Sequence, residues 1–424
     1  MLLLLILTSS FCAHVLAAAT KQTCSLRPLG HGKDDTDQVE AAISKCGHFG
    51  TIAFAPGEYN ITRKMTWDLV ESHIDLHGYL SFIPDIEYWL DANNTYRVIF
   101  IQDQASWFVI TGRDFVVDAH NTGGIDGHGQ TWWSYYSDNN ITREDGDGRP
   151  VSLTLFNVTR GTIRDFRIEA QPFWCNAVAE SSEVLYDGML CNATNTDPDY
   201  AGQNIVPNTD GIDTYRSDHV TMLNWDITCG DDCLAIKGNS TNILARNITC
   251  RGGNGIAFGS LGQYEQLNDI VDRVDLEDIA MIRLDPQVQP NMVSGVYFKS
   301  WDGSVHGTPP TGGGGGGGFV SNVVSRNVSL DQVTEPIHLY QTNGGQSGDL
   351  PSTLQFSNLS FIGWSGTAER DTIVDIECSP AAPCPNMLFE DVDIQPPSGE
   401  APIYTCMNVV SQTGLPGEHA TGLF

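Results

Sequence analysis

Most of the chain beyond residue 50 consists of short segments in which apolar or β-branched residues alternate with polar ones. Clear examples are residues 220–229 (VTMLNWDITC), 242–250 (NILARNITC) and 354–362 (LQFSNLSFI). This alternation predicts β-strands of a few residues, and the Asn, Asp and Gly residues between the segments predict tight corners. Similar segments recur roughly every 20 to 35 residues. We therefore predict an all-β solenoid, a right-handed parallel β-helix in which each coil adds short strands to parallel sheets.

A β-sandwich or barrel would also contain many short strands. Asn-Gly and Asp-Gly hairpin signals are scarce between the segments, however, and the sustained repeat favours the solenoid. Helical periodicity is confined to residues 34–46 (DDTDQVEAAISKC), where Asp and Thr caps precede the apolar residues Val39, Ala42 and Ile43. We predict a short N-terminal helix here, which covers the open end of the β-helix core.

Seven consecutive glycines, Gly312–Gly318, interrupt the pattern within TPPTGGGGGGGFV (308–320). Because glycine has no side chain to pack, the run predicts a mobile surface loop inserted between two coils. A functional lid is the alternative interpretation of the same segment.

Charge and targeting signals indicate where the protein works. The 424 residues include 22 Lys and Arg against 52 Asp and Glu, a net charge of −30, and the basic residues form no cluster, so neither nucleic acid nor a membrane surface is an expected partner. Residues 1–18 form a short apolar run that ends in small residues and predicts a signal peptide. The remainder, residues 19–424, is expected to be a single β-helical domain, secreted to the extracellular space as a monomer.

Cysteines and sequons agree with secretion. Cys12 lies in the predicted signal peptide, so ten of the 11 cysteines remain, and an even number in a secreted chain favours disulfides over metal ligands. Paired CxxC motifs at zinc spacing are absent from the sequence, so neither a metal nor a cofactor is expected. Asn-x-Ser/Thr sequons predict N-glycosylation at Asn60, Asn93, Asn140, Asn157, Asn192, Asn239, Asn247, Asn327 and Asn358.

Candidate chemistry is concentrated in the middle of the chain. Three motifs rich in Asp and Gly stand close together there: NTDGID (208–213), GDDCLAIK (230–237) and CRGGNGIAFGS (250–260). A single Asp at a corner has an ordinary structural explanation in Asx turns. The spacing indicates more, because Asp210, Asp232 and Asn254 follow one another at intervals of 22 residues. A coil of that length would stack them on strands about 4.8 Å apart and crowd Asp210, Asp231 and Asp232 together.

Carboxyl groups at such short distances repel each other when both are ionised. At least one of them should therefore have a pKa well above its ordinary value. Glycosidic bond cleavage needs such a set, because a protonated carboxyl gives its proton to the leaving oxygen while an ionised one activates the attacking group. Binding of Ca²⁺ is another use of clustered carboxylates. The dense loop of oxygen ligands that Ca²⁺ requires does not accompany these aspartates in the sequence, so we favour catalysis.

With these motifs the sequence resembles glycoside hydrolase family 28, the pectin-degrading polygalacturonases and rhamnogalacturonases, which are right-handed parallel β-helices of the pectin-lyase type. The resemblance runs through most of the mature chain and includes GIDGHGQTWW (124–133) and CSPAAPC (378–384). It implies an inverting hydrolase in which Asp231 is the proton donor, while Asp210 and Asp232 activate a water on the opposite face of the sugar. Inversion implies carboxyl groups roughly 6.5 to 9.5 Å apart.

Two positions depart from the family pattern. Asn254 stands where the family has the histidine of Gly-His-Gly, and Tyr297 replaces the arginine of Arg-x-Lys, which leaves Lys299. In polygalacturonases these basic residues face a uronate, and their loss favours a neutral 6-deoxy sugar such as rhamnose, whose methyl group could pack on the Tyr297 ring. We expect Asn254, Tyr297, Lys299 and Asn208 to contact the substrate.

The resemblance is closest to secreted, exo-acting fungal members, and GGNGIAFGSLGQY (252–264) favours those that release rhamnose. The predicted function is therefore that of an α-L-rhamnosidase, which removes terminal rhamnose from the rhamnogalacturonan of plant cell walls. An exo-polygalacturonase, in which Lys299 alone binds galacturonate, is the alternative. A non-catalytic carbohydrate-binding β-helix is the alternative of another class, and the three aspartates argue against it. His306 and His338 are taken to be structural.

Disulfide pairing is partly implied by the resemblance. The pairs it implies are Cys24–Cys46, Cys233–Cys250 and Cys378–Cys384. No partner is predicted for Cys175, Cys191, Cys229 or Cys406.

Overall fold

The computed structural model describes residues 22–141 and 143–415, and almost all of its regular structure is β-strand. Twenty-seven strands form one continuous sheet with parallel pairing from coil to coil, which confirms the predicted β-helix, and two further strands, β7 and β8, form a separate antiparallel pair. The predicted signal peptide lies outside the described residues. The strands are β1 Gln22–Leu26, β2 Gly50–Phe54, β3 Glu58–Ile61, β4 Met65–Val70, β5 His73–Leu76, β6 Tyr79–Phe82, β7 Tyr96–Ile99, β8 Gln104–Ser106, β9 Phe108–Asp118, β10 Gly124–Asp126, β11 Leu153–Arg164, β12 Arg167–Glu169, β13 Asn176–Ala179, β14 Ser182–Asp187, β15 Leu190–Asn192, β16 Ile212–Tyr215, β17 Asp218–Thr228, β18 Asp232–Ile236, β19 Ser240–Arg251, β20 Gly255–Leu261, β21 Asn268–Ile282, β22 Ser294–Trp301, β23 Gly317–Val333, β24 Glu335–Asn343, β25 Gln355–Ala368, β26 Thr372–Glu377, β27 Met387–Gln395, β28 Ile403–Met407 and β29 Gln412–Thr413.

The strands stack in three parallel ladders, one of which carries the candidate site. This ladder, here called the site sheet, runs through β4, β9, β11, β13, β16, β18, β20, β22, β24, β26 and β28. Ile212 pairs with Leu234, and Leu234 pairs with Ile256. The coil at the site is therefore 22 residues long, as the spacing of the motifs predicted.

Packing between equivalent positions of successive coils builds the core. Ile212, Leu234 and Ile256 are all buried inside the solenoid, and the rings of Phe258 and Phe298 stack with their centroids 4.5 Å apart. Burial of one such side chain stabilises the fold by roughly 1.5–3 kcal/mol. Because every coil repeats these contacts, the core extends along the whole solenoid.

The N-terminal helix is confirmed. Helix α1 spans Thr36–Cys46 and buries Val39, Ala42 and Ile43, and it contacts β1, β2, β3 and β4 at the first coils. Two other helices, α2 (Ile86–Leu90) and α3 (Gly129–Asn139), were not predicted. Helix α3 buries too few residues for an apolar helical periodicity to be visible in the sequence. No side chain caps its N-terminus either, so the usual sequence signal for a helix start is also missing.

The glycine run is packed, in contrast to the loop that the sequence predicted. Gly313 forms an antiparallel bridge with His306, and the N–H of Gly314 donates to the carbonyl of Gln263 at 2.8 Å. A Cβ on Gly314 would lie 2.0 Å from the carbonyl oxygen of Ser304. The absence of side chains thus permits close backbone contact, and the expectation of an unpacked loop is wrong.

All three implied disulfides are present, together with a fourth between Cys175 and Cys191. Cys229 and Cys406 are unpaired in the described part of the chain. Four disulfides are typical of proteins that fold outside the reducing cytosol.

The nine sequon asparagines are exposed or half-buried, and their glycosylation stays a prediction. Among the described helices, none is long and apolar enough to span a membrane.

Candidate active site

The three predicted aspartates lie side by side where two strands of the site sheet begin. Asp232 is the first residue of β18, Asp231 precedes it, and Asp210 stands two residues before β16. One carboxyl oxygen of each lies within 4.8 Å of those of the other two. The 22-residue coil thus brings the trio together, and the oxygens are also close enough to hold a cation.

Asp231 accepts four hydrogen bonds from groups on both neighbouring segments. Its Oδ2 accepts from the backbone N–H of Asn208 at 2.9 Å and from Asn208 Nδ2 at 3.3 Å. Its Oδ1 accepts from Asn254 Nδ2 and from the Asp232 N–H, both at 2.9 Å. The register shifts by one residue where Asp232 pairs with Gly255. Asn254 therefore faces Asp231, and both predicted asparagines hold this carboxyl.

Asp232 contacts the two predicted residues of β22. The Tyr297 hydroxyl donates to Asp232 Oδ1, and Lys299 Nζ lies 3.4 Å from Asp232 Oδ2 and 2.9 Å from the Tyr297 hydroxyl. Tyr297 is only 7% exposed, so its ring offers little surface to a substrate methyl group. The predicted packing of a sugar methyl on this ring is therefore not supported, and Tyr297 contributes its hydroxyl instead.

Burial and mutual repulsion keep protons on this site. Burial, aided by the charges of Asp213, Asp231 and Asp232, raises the pKa of Asp210 well above its ordinary value. Burial, aided by the charge of Asp232, raises the pKa of Asp231 to about 6. A carboxyl with that pKa is suited to donate a proton in mildly acidic medium.

Two further residues that were not predicted, Asp213 and Lys237, form a buried ion pair near the trio. Lys237 Nζ lies 2.9 Å from Asp213 Oδ1, and both side chains are almost completely buried. Burial raises the pKa of Asp213 to about 7 even with Lys237 beside it. Lys237 also lies 5.2 Å from the centre of the Trp174 ring. Both residues stand inside the quoted motifs, Asp213 in NTDGID and Lys237 in GDDCLAIK, and only the fold shows that they form a buried pair.

Arg149 and His338 were also not predicted to belong to this region. The buried Arg149 donates from Nη2 to Asn208 Oδ1 at 3.1 Å and so orients a residue that binds Asp231. His338 pairs with Tyr297 on the next strand of the site sheet. Arg149 lies about 60 residues from Asn208 in the chain, and no local signal connects the two.

The nearest oxygens of the three carboxyl groups lie within 4.8 Å of one another. The interval of roughly 6.5 to 9.5 Å for inverting enzymes refers to whole carboxyl groups, so the two values describe different distances. Protonation of Asp210 reduces the repulsion that would otherwise push the carboxyls apart.

Comparison with known proteins identifies the family of this chain. The family described as Glycosyl hydrolases family 28 matches residues 71–415. A protein of Aspergillus niger named "Putative galacturan 1,4-alpha-galacturonidase A" is 40% identical over 417 residues, covering 93% of this chain and 92% of its own. Another A. niger protein, "Alpha-L-rhamnosidase rgxB", is 32% identical over 92% of this chain and 89% of its own.

Among solved structures, the endo-xylogalacturonan hydrolase from Aspergillus tubingensis is similar in fold, with a TM-score of 0.75 and 21% identity over 93% of this chain and 98% of that one. The family match covers most of the chain, and relatives above 30% identity align along nearly their whole length. This protein is therefore a glycoside hydrolase and belongs to glycosyl hydrolase family 28.

Proposed function

We propose that the protein is a secreted, exo-acting pectin hydrolase that releases terminal α-L-rhamnose from rhamnogalacturonan. The observation that carries the choice of sugar is that the two ammonium groups at the site are already paired with aspartates, Lys237 with Asp213 and Lys299 with Asp232. Little positive charge remains for a uronate. A sugar carboxylate 4 Å from an ionised aspartate would add roughly 4 kcal/mol of repulsion at an effective dielectric constant near 20.

In this mechanism Asp231 donates its proton to the glycosidic oxygen as the bond to the leaving sugar breaks. The raised pKa of about 6 keeps part of Asp231 protonated in mildly acidic medium. Asp232 accepts a proton from the attacking water, because Tyr297 and Lys299 stabilise negative charge on this carboxyl. Asp210 lies beside Asp231 and Asp232, and because its pKa is raised well above the ordinary value it keeps its proton and helps to hold the water by a hydrogen bond while Asp232 takes the proton.

An apolar plug beside the trio favours exo attack. Val178 of β13 faces the core, whereas Ala177 and Ala179 face outward on the site sheet and are buried under other apolar side chains. Ala177 pairs with Asp213 of β16, so the covered strand directly adjoins the one that follows Asp210. The apolar plug consists of Ile99, Ile101, Val151, Phe173, Trp174, Ala177, Ala179 and Tyr215.

Residues 99–101, at the end of β7 and in the turn after it, contribute to the plug. Contacts with Tyr264, which is distant in sequence, hold this segment in place. The backbone N–H of Gln102 donates to the Tyr264 hydroxyl at 2.8 Å, and the rings of Phe100 and Tyr264 lie 5.3 Å apart. On the C-terminal coils, a cavity of about 760 Å³ borders the ends of β24, β26 and β28, and none of the three aspartates lines it. A binding site that the apolar plug closes on the side of β13 can accept one terminal sugar, and the rest of the polymer would then extend toward the C-terminal coils.

Release of terminal galacturonic acid is the second candidate. Two relatives at 40 and 41% identity bear the name galacturan 1,4-alpha-galacturonidase, and Lys299 remains partly exposed at 16%. In this alternative Lys299 would leave Asp232 to bind the sugar carboxylate.

The test is to incubate the purified protein with rhamnogalacturonan oligosaccharides and with oligogalacturonides, and to identify the released monosaccharide by chromatography. We expect rhamnose alone, without intermediate oligomers, and NMR of the fresh product should show inverted anomeric configuration. Asp231→Asn should abolish turnover with an unchanged circular dichroism spectrum, whereas Asp226→Asn, which loses an exposed pair with Arg251, should stay active. Galacturonic acid as the product would replace the proposal by the second candidate.

A further inference from the structure

A second cluster of ligating side chains lies outside the catalytic trio, on two loops beside the site sheet. Asp302 and His306 stand in the loop after β22, and Asp349 stands in the loop between β24 and β25. One donor atom of each residue lies within 4.8 Å of those of the other two. His306 Nε2 and Asp349 Oδ2 are 2.8 Å apart. The glycine run holds His306 in place through paired backbone hydrogen bonds with Gly313.

Asp302 is the most deeply buried member of this cluster. It is 4% exposed, its Oδ1 accepts the Ser304 N–H at 3.0 Å, and no N–H group donates to its buried Oδ2. The polar group that the Asp302 side chain faces is the carboxyl of Asp349. A Cβ built on Gly345 would lie 2.4 Å from Asp302 Oδ2, so the oxygen points toward the loop that carries Asp349. Two carboxyl groups that face each other repel when both are ionised, so they share a proton or hold a cation. A bound cation would take the place of the shared proton.

The chemistry of the three donors selects the kind of cation. One imidazole nitrogen with two carboxylate oxygens suits Zn²⁺, whereas Ca²⁺ and Mg²⁺ prefer oxygen alone. Bonds of about 2.0–2.2 Å in a tetrahedron place ligand atoms roughly 3.3 Å apart. Donors that lie up to 4.8 Å apart would therefore approach by up to about 1.5 Å, while the His306–Asp349 pair at 2.8 Å would open slightly. Asp302 and Asp349 both border the cavity of about 760 Å³, from which a water can supply the fourth ligand.

We infer that Asp302, His306 and Asp349 form a binding site for a divalent transition metal, Zn²⁺ in the first place, that joins the two loops beside the site sheet. This departs from the metal-free protein that the cysteine pattern led us to expect, because the ligands are carboxylates and a histidine from segments over 40 residues apart. The inference does not depend on which sugar the enzyme releases.

The experiment is isothermal titration of ZnCl₂ into the purified full chain at pH 7, after treatment with a chelator, together with thermal melting with and without ZnCl₂. The wild type should bind Zn²⁺ at a micromolar or lower dissociation constant and melt several degrees higher with zinc. Asp302→Asn and His306→Gln should each weaken this binding at least tenfold and melt at the same temperature with and without zinc. His48→Gln is the matched control, because His48 pairs with Asp68 at 2.9 Å without a third ligand, and it should behave as wild type.

The catalytic trio could bind Zn²⁺ as well, so Asp231→Asn is titrated in parallel and should keep the zinc-dependent rise in melting temperature. The inference is overturned if the wild type shows no saturable binding, or if Asp302→Asn and His306→Gln bind as tightly as the wild type. It is equally overturned if CaCl₂ binds as tightly as ZnCl₂ and His306→Gln retains that binding, because the site would then use oxygen ligands alone.

Discussion

Replacing Asn254 should move the pH at which the enzyme loses activity on the alkaline side. In the proposed mechanism Asp231 must be protonated, so kcat/KM falls as pH rises through the Asp231 pKa of about 6. Asn254 Nδ2 donates to Asp231 Oδ1 at 2.9 Å and stabilises the ionised carboxyl. Asn254→Ala removes this bond, which raises the Asp231 pKa and extends activity to higher pH.

The size of the shift follows from the geometry. A hydrogen bond to a charged group contributes about 1.5–3 kcal/mol, and one pKa unit corresponds to about 1.4 kcal/mol. Asn254 is half-buried, so water can replace part of the lost bond. Three other donors also remain on Asp231. We therefore expect the lower end of the range, an upward shift of about one pH unit.

The assay is the pH dependence of kcat/KM on whichever oligosaccharide the wild type hydrolyses, measured between pH 4 and pH 8. Thr241→Val is the matched control, because Thr241 Oγ1 donates to the remote carboxylate of Asp218 at 2.6 Å, and its alkaline limb should coincide with that of the wild type. An alkaline limb that stays in place in Asn254→Ala, in a variant with unchanged circular dichroism, would refute the assignment of Asp231 as the proton donor tuned by Asn254.

Two predictions concern stability. Lys237→Met should lower the free energy of unfolding by about 3–5 kcal/mol, because it leaves Asp213 buried without its partner; urea denaturation measures this, and the double variant with Asp213→Asn should recover part of the loss. Gly314→Ala should lower the melting temperature, because the glycine has φ +116° and the new Cβ would meet the Ser304 carbonyl at 2.0 Å. Gly317→Ala, whose Cβ would meet the Asn268 side chain at 3.1 Å, should cost far less, and equal melting temperatures would contradict the packed glycine run.

Much of the fold and of the catalytic trio could be predicted from the sequence, because both depend on local repetition. Alternating residues specify strands, and a coil of 22 residues sets Asp210 opposite Asp232 wherever parallel strands pair in register. The helix over Thr36–Cys46 follows in the same way from its apolar spacing. These features need only the period of the chain.

The tertiary structure decided the features that depend on residues far apart in sequence. Gln102 meets Tyr264 across 162 residues, and this contact holds the segment that contributes Ile99 and Ile101 to the apolar plug, which no local pattern could indicate. The one-residue register shift at Asp232 turned Asn254 toward Asp231. The glycine run, which predicted a mobile loop, instead allows two backbone segments to pack directly against each other. A periodic sequence determines which residues of successive coils stack on one another. The shape and charge of the surface around the catalytic trio arise from the insertions between coils, because their contacts form only when the solenoid has assembled.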